Sequence, residues 1–149
     1  MVLLERLRWW QIEELLPIEA DLFGAERWSA GMFWNELANG HHYLAAVEGG
    51  EVLGYGGLAV YPPDEAWVQN IAVRRPAQRR GIGRVLLEAL LAEARRLRIG
   101  TMMLEVAVDN APAQKLYDRY GFESVGIRKG YYQPSNTDAL VMRRNEDPV

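Results

Sequence analysis

The segment from Trp67 to Leu97 constrains the fold of this chain more than any other stretch. It reads WVQNIAV, then RRPAQ, then RRGIGRVLLEALLAEARRL, which is an apolar strand, a basic turn and a long helix in immediate succession. If this helix is a crossover, the strand that follows it from Thr101 to Val106 lies parallel to the strand that precedes it. The segment therefore predicts an α/β domain.

The turn of this segment has the features of an anion-binding site. The helix begins near Gly81, and a helix N-terminus carries unpaired backbone N–H groups and a partial positive charge. Gly81 and Gly83 let backbone N–H groups approach an anion without a Cβ atom in the way. Five arginines add a local positive field that can hold phosphates: Arg74, Arg75, Arg79, Arg80 and Arg84.

Three kinds of motif place a pair of glycines before a helix, and their spacings distinguish them. A phosphate loop of the NTPase type needs a lysine after its last glycine, and none follows Gly83. A dinucleotide-binding motif needs a third glycine where this chain has Leu86. The remaining pattern is Q-x-x-G-x-G from Gln78, after a strand that ends N-I-A-V. It resembles the acetyl-coenzyme A signature of the GNAT superfamily of N-acetyltransferases.

A second stretch carries the same resemblance. Residues Leu104 to Phe122, LEVAVDNAPAQKLYDRYGF, resemble the second coenzyme A region of GNAT enzymes. They resemble in particular the RimI-type enzymes, which acetylate the N-terminal amine of a ribosomal protein. The resemblance implies a single GNAT domain over residues 1–149, with a mixed, mostly antiparallel sheet of about seven strands flanked by about four helices.

Local patterns place these elements along the chain. Apolar and alternating stretches predict strands at 2–8, 43–48, 51–61, 66–73, 101–106, 122–132 and 139–143. Helical spacing predicts helices over 9–23, from a Ser29 cap to about Ala38, from Gly81 until Gly100 ends the helix, and from caps at Asp109 and Asn110 to Tyr120. Pro17, inside the first of these helices, predicts a kink or a break.

Composition limits the classes of function. The chain of 149 residues is long enough for one domain with a substantial core, and its net charge of −3 gives no overall basic footprint for nucleic acid. It has no cysteine, which excludes disulfides, thiolate metal sites and a cysteine acyl-enzyme, so acyl transfer would be direct. No uninterrupted apolar run is long enough to cross a bilayer, and we expect a cytoplasmic protein without a membrane partner.

Histidine gives no sign of a metal or catalytic site. His41 and His42 are the only two histidines, and as neighbours in a strand they would point apart. No carboxylate pattern surrounds them in the sequence, so we expect a loop role and no bound metal.

Two residues of the second stretch are candidates for catalysis. Transfer to an amine needs a neutral nitrogen, and an α-amine with a pKa of about 8 loses its proton more easily than a lysine at about 10.4. The resemblance makes Glu105 the general base, acting directly or through water; a plain surface glutamate is the alternative. It makes Tyr117 the general acid for the thiolate leaving group; core packing is the alternative, as it is for Tyr120.

The resemblance also implies contacts to acetyl-CoA and to the acceptor. The pyrophosphate would lie against six consecutive residues, Arg79, Arg80, Gly81, Ile82, Gly83 and Arg84. The pantetheine arm would extend the sheet at three backbone positions, Ile71, Ala72 and Val73. Asn110 would contact this arm while it caps a helix. Tyr131 and Tyr132 would face the acceptor groove, with the segment from Trp28 to Trp34 as one wall.

These features predict an acetyl-CoA-dependent transferase that acetylates a protein N-terminal α-amine, that of the N-terminal alanine of a small-subunit ribosomal protein. The turn from Gln133 to Thr137 is shorter than in RimI-type enzymes and lacks their glycine, which leaves the acceptor open. The alternatives are a GNAT enzyme that acetylates a lysine or a small amine, an acyl-CoA sensor without turnover, and a nucleic-acid binder that uses the arginine cluster. The last of these predicts steeply salt-dependent binding.

Overall fold

The computed structural model describes residues 1–146 and confirms the predicted order of elements. Within those residues the chain forms seven strands: β1 (Leu3–Arg6), β2 (His42–Glu48), β3 (Glu51–Tyr61), β4 (Glu65–Val73), β5 (Thr101–Ala107), β6 (Glu123–Tyr132) and β7 (Thr137–Asn145). It also forms four α-helices: α1 (Ile12–Phe23), α2 (Ala30–Ala38), α3 (Ile82–Arg96) and α4 (Ala111–Arg119). Single 3-10 turns lie at Trp9–Gln11, Gly24–Glu26 and Arg75–Ala77.

The seven strands form one mixed sheet in the order β1-β2-β3-β4-β5-β7-β6. Only β4 and β5 pair in parallel, with α3 as their crossover, and the other neighbours are antiparallel. The predicted mixed, mostly antiparallel sheet with four helices is therefore confirmed. The last strand, β7, lies between β5 and β6.

The sheet opens between its two parallel strands. Pairing of β4 with β5 runs from Glu65 opposite Thr101 only as far as Val68 opposite Leu104. Beyond that point β4 stays paired with β3 and β5 stays paired with β7. Among the described strands, residues 69–73 of β4 have no partner on the side that faces β5. The two strands thus form a notch, with free backbone groups along one side.

Two hydrophobic clusters cover the two faces of the sheet. Alternate residues of β2 belong to different clusters, as the alternation of a strand requires, because Leu44 packs in one and Tyr43 in the other. Helix α3 covers the first face with a buried stripe that includes Leu86 and Leu90. Helices α1 and α2 cover the second face, where Phe33 is fully buried.

The start of α2 matches the predicted cap. The Ser29 hydroxyl accepts a hydrogen bond from the Met32 N–H at 3.3 Å, and Trp28 packs against Phe33 with ring centroids 5.2 Å apart. This is the capping and hydrophobic staple arrangement that fixes where a chain enters a helix. It sets the position of Trp28, which lines the cavities described below.

Of the predicted kink or break at Pro17, the break does not occur, and the predicted end of α3 at Gly100 is wrong. Helix α1 runs through Pro17 without a break. The carbonyl that Pro17 leaves without a partner belongs to Glu13, and both residues are exposed to water. Helix α3 ends at Arg96, ahead of Gly100, because Arg98 already takes a left-handed φ of 59°. Gly100 instead donates its N–H to Asp64 Oδ1 at 2.6 Å, and a Cβ atom there would lie 2.7 Å from Asp64 Oδ2.

Candidate active site

The basic turn forms a cradle of unpaired backbone donors at the start of α3. Arg79 and Gly81 take left-handed φ values of 68° and 78°, and Gly81 is the N-cap of the helix. Within residues 1–146 the N–H groups of residues 79–84 donate no hydrogen bond. Consecutive free N–H groups beside a helix N-terminus fit the oxygens of a pyrophosphate.

The five arginines of this region do not converge on one anion. Arg74 pairs with Glu51, and Arg75 pairs with Asp21 at 3.1 Å. Arg80 holds both carboxylate oxygens of Glu48, at 3.1 and 2.7 Å. Among the described residues, two of the five make no ion pair, Arg79 and Arg84. The guanidinium groups of these two are therefore available to a phosphate, whereas that of Arg80 is already paired.

A cavity of about 530 Å³ occupies the notch between β4 and β5 and is called the smaller cavity. Ile71 lines it from β4, and Asn110 and Tyr117 line it from α4. The Asn110 Oδ1 atom caps α4 by accepting from the Ala113 N–H at 3.3 Å, so its capping role and its place in the cavity wall coexist. In the same strand, the Val73 carbonyl accepts from Gln78 Nε2 at 3.0 Å.

A second cavity of about 770 Å³ adjoins the first and is called the larger cavity. Tyr131 and Tyr132, the predicted acceptor-groove residues, both line it. Burial is the main cause that raises the pKa of each phenol, and the Glu105 carboxylate raises the pKa of Tyr131 further. Five residues line both cavities: Glu26, Trp28, Gln69, Glu105 and Tyr132.

Only part of the segment from Trp28 to Trp34 forms a wall of this site. Trp28 and Met32 line the larger cavity. Trp34 stacks instead on Trp9, with ring centroids 5.8 Å apart, on the outer surface of α2. The resemblance therefore placed the segment correctly, but it did not distinguish the two faces of the helix.

Glu105 lies at the junction of the two cavities. It sits near the end of β5, opposite Val141 of β7, and 14% of its side chain is exposed. Its Oε2 atom is 3.3 Å from Arg128 Nε, but the geometry makes no hydrogen bond. Within the described residues this buried oxygen has no hydrogen-bond partner, which is rare for a carboxylate. Glu105 lines both cavities, which is the position that a general base needs relative to a bound amine.

The two tyrosines of α4 have different surroundings. Tyr117 is buried against Phe122, with ring centroids 5.9 Å apart, and lines the smaller cavity. Burial raises the pKa of Tyr117 to about 12, so its phenol stays protonated at neutral pH. Tyr120 donates its hydroxyl to Glu88 Oε2 at 2.6 Å and does not line either cavity. Of the two phenols, that of Tyr117 is the one placed to donate a proton in the site.

Sequence reasoning missed a buried carboxylate beneath the site. Glu19 of α1 is 1% exposed. Its Oε1 accepts the Trp28 N–H at 2.7 Å, and its Oε2 accepts the Tyr55 hydroxyl. Burial is the largest cause of the raised pKa of Glu19, and these hydrogen bonds oppose it. The available signal was its spacing, because Glu19 follows the buried Leu15 by four residues on the apolar face of α1.

Both histidines have carboxylate partners, and His42 belongs to β2, so the expected loop role is wrong for His42. His41 Nδ1 lies 3.1 Å from Glu36 of α2, and His42 Nδ1 lies 3.7 Å from Glu93 of α3. Both partners come from helices packed against β2, which a search for local patterns does not detect. No group of three or more potential metal ligands occurs in residues 1–146. None of the helices described there is long and apolar enough to span a bilayer.

The fold and the site together define a class of protein. The sheet opens between two parallel strands beside a helix start with unpaired N–H groups, which together offer a strand edge for amides and a site for phosphates. The sequence profile of the Acetyltransferase (GNAT) family matches residues 4–122, and the chain belongs to this family. It is therefore an enzyme that takes its acetyl group from acetyl-CoA.

Individual relatives confirm the resemblance to RimI-type enzymes. The chain is 44% identical over 137 residues to the N-alpha-acetyltransferase RimI of Mycobacterium tuberculosis, a match that covers 88% of this chain and 85% of that protein. It is 43% identical over 81 residues to the [ribosomal protein bS18]-alanine N-acetyltransferase of Escherichia coli K12, covering 53% and 55% of the two chains. The crystal structure of the Escherichia coli ribosomal-protein-S18-alanine N-acetyltransferase superposes with a TM-score of 0.90 at 30% identity, covering 100% and 96%.

Proposed function

We propose that this enzyme acetylates a protein N-terminal α-amine, and that its acceptor is the N-terminal alanine of a small-subunit ribosomal protein. The names of its relatives in Escherichia coli specify that acceptor, and the similarity to one of their structures extends over the whole chain. The same proposal puts the enzyme in the cytoplasm, where ribosomal proteins are made. The observation that supports the chemistry best is the position of Glu105, whose side chain lines both cavities.

Glu105 is the general base of the proposed reaction. Acetyl-CoA supplies the acetyl group as a thioester. The acceptor α-amine enters the larger cavity in its neutral form, and Glu105 takes one proton from its nitrogen, directly or through one water, as that nitrogen attacks. The neutral nitrogen forms a bond to the acetyl carbonyl carbon while the bond from that carbon to sulfur breaks. No cysteine is available for an acyl-enzyme, so the transfer is direct.

Tyr117 is the proposed general acid. Its protonated phenol lines the smaller cavity and donates a hydrogen bond to the sulfur as negative charge develops there. A free thiol has a pKa near 8.5, but the burial that raises the pKa of Tyr117 also disfavours a thiolate beside it. The proton can therefore pass to the sulfur as the thiol leaves.

The donor-binding roles follow from the cradle and the notch. The N–H groups of residues 79–84, with the guanidinium groups of Arg79 and Arg84, hold the pyrophosphate. The free edge of β4 at Ile71, Ala72 and Val73 pairs with the amides of the pantetheine arm, and Asn110 faces that arm across the notch. Tyr131 and Tyr132 line the path of the acceptor peptide.

A thiol-release assay with matched peptides tests the acceptor. One peptide has a free N-terminal alanine and no lysine, and its partner has a blocked N-terminus and a free lysine. We expect release of free coenzyme A with the first peptide only, and a large loss of that release in Glu105→Gln. Release with the lysine peptide or with small amines would keep the fold and donor but change the acceptor class. Tight binding of acetyl-CoA without release for any acceptor would favour a sensor.

A further inference from the structure

Arg128 covers the proposed base from the side of the larger cavity. Its guanidinium carbon lies 5.8 Å from the ring centroid of Trp67 and 5.6 Å from that of Tyr131. These distances are those of cation–π contacts, which hold the guanidinium between two aromatic rings. From this position Arg128 Nε reaches to 3.3 Å from Glu105 Oε2. About half of the Arg128 side chain remains exposed.

This ion pair places a positive charge beside the Glu105 carboxylate. A buried carboxylate is costly unless a positive group is close, and Arg128 supplies that group. The ion pair includes no hydrogen bond, so Arg128 offsets the charge of Glu105 without holding its carboxylate in a fixed hydrogen bond. Glu105 therefore stays at the junction of the two cavities with its charge partly compensated.

The charge matters for the protonation state of the acceptor. An amine reacts only when it is neutral, and a carboxylate a few ångströms away favours the ammonium form, typically by one unit of pKa or more. An uncompensated Glu105 would therefore bind the acceptor tightly as an unreactive ammonium ion. The nearby guanidinium cancels most of this effect.

We propose that Arg128 is a positioning residue that keeps the bound acceptor amine neutral by compensating the charge of Glu105. This role rests on the proposed function of Glu105 as the base. The aromatic rings of Trp67 and Tyr131 hold the guanidinium beside the carboxylate.

None of the other charged or titratable groups that line the larger cavity, among the described residues, can compensate the negative charge of Glu105. They are Glu26, Tyr61, Tyr131 and Tyr132, in addition to Glu105. The second carboxylate, Glu26, accepts from the Ser135 hydroxyl on the turn between β6 and β7. The pKa values of Tyr131 and Tyr132 are raised, so both phenols stay neutral at working pH. Among the described residues that line this cavity, Arg128 is the one cation.

The test is the pH dependence of steady-state turnover for Arg128→Gln, with an alanine peptide as acceptor and saturating acetyl-CoA. The fall of kcat on the acid side of its pH profile reports the pKa of the bound acceptor amine. We expect this pKa to be about one unit higher in Arg128→Gln. At pH 7 kcat then falls roughly tenfold, and it recovers as the pH rises. The KM for the peptide falls at pH 7, because the ammonium form binds more tightly. The pH profile of kcat/KM also reports the pKa of the free peptide, and we expect that pKa to be unchanged.

Two further variants make the result specific. Arg128→Lys keeps the charge and should restore the acid limb of kcat most of the way to its wild-type position. Lys129→Gln removes a positive charge from the next residue of β6, which pairs with Asp138 at 3.7 Å and does not line the cavity. We expect the wild-type pH profile for this control.

Two results would overturn the role of Arg128. One is a loss of kcat in Arg128→Gln that is the same at every pH, which indicates a structural role. The other is a raised peptide KM with an unchanged kcat profile, which indicates direct contact with the acceptor. Glu105→Gln separates this inference from the proposed function. If Glu105→Gln keeps wild-type turnover, the base assignment fails; if it loses turnover while the Arg128→Gln profile is unshifted, only the present inference fails.

Discussion

Tyr55→Phe is expected to destabilise the protein through the carboxylate that it leaves unpaired. The Tyr55 hydroxyl donates to Glu19 Oε2, and both residues are at most 1% exposed. Removing a donor from a buried charged group costs about 1–3 kcal/mol. For a domain of this size, a loss of about 2 kcal/mol lowers Tm by roughly 4–8 °C. Tyr43→Phe is the comparison, because the equally buried Tyr43 donates mainly to the neutral Gln69 amide at 2.8 Å and only at 3.4 Å to the Glu36 carboxylate.

The loss should depend on pH in a defined direction. Burial raises the pKa of Glu19 above its ordinary value of 4.5, and the hydrogen bond from Tyr55 lowers it. Stability linked to a raised carboxyl pKa is present below the unfolded pKa and is lost as the pH rises through the folded pKa. Tyr55→Phe raises the folded pKa further, so its extra loss is largest at neutral pH and shrinks as Glu19 becomes protonated.

Urea unfolding at pH 7 and at pH 5 measures both effects. We expect Tyr55→Phe to lose more free energy of unfolding than Tyr43→Phe at pH 7, and the gap to narrow at pH 5. Equal losses at pH 7, or a gap that does not change with pH, would refute the account of Glu19. Since Glu19 also accepts the Trp28 N–H, we expect the acceptor KM of Tyr55→Phe to rise as well.

Three more substitutions test separate parts of the molecule. Tyr117→Phe should lower kcat about a hundredfold with little change in acetyl-CoA affinity, as expected for a general acid, whereas Tyr120→Phe should keep kcat near wild type in the same assay. Arg84→Gln should weaken acetyl-CoA binding roughly tenfold by calorimetry through loss of a charged phosphate contact, and the ion-paired Arg75→Gln should not. Gly100→Ala should cost about 1 kcal/mol in urea unfolding, because its Cβ displaces the carboxylate that accepts the glycine N–H.

Local patterns in the sequence were sufficient to predict the elements of this fold. The hairpin at Gly49-Gly50, the Ser29 and Asn110 caps and the helix that begins after Gly81 all depend on residues close together in the chain. Such signals depend only on neighbouring residues, so they can be recognised without knowledge of the tertiary structure. The continuity of α1 through Pro17 and the end of α3 were less predictable, because the solvent exposure of Glu13 and a left-handed Arg98 decide them.

The arrangement of the site depended on contacts between distant residues. Arg80 and Glu48 are 32 positions apart, and nothing in the basic turn indicates that this arginine pairs with β2. Arg128 belongs to a strand whose neighbours are set by the insertion of β7 beside β5. Its place against Glu105 therefore follows from the order of strands in the sheet, which local spacing does not encode.

The acceptor atom is the most direct test of the central claim. A peptide that begins with a free alanine and also contains an internal lysine is incubated with the enzyme and acetyl-CoA, and tandem mass spectrometry locates the acetyl group. We predict a single acetyl group on the α-nitrogen of alanine, formed by the wild-type enzyme and strongly reduced in Glu105→Gln. Acetylation of the lysine side chain, or of both nitrogens at similar rates, would contradict the assignment of this enzyme to protein N-termini.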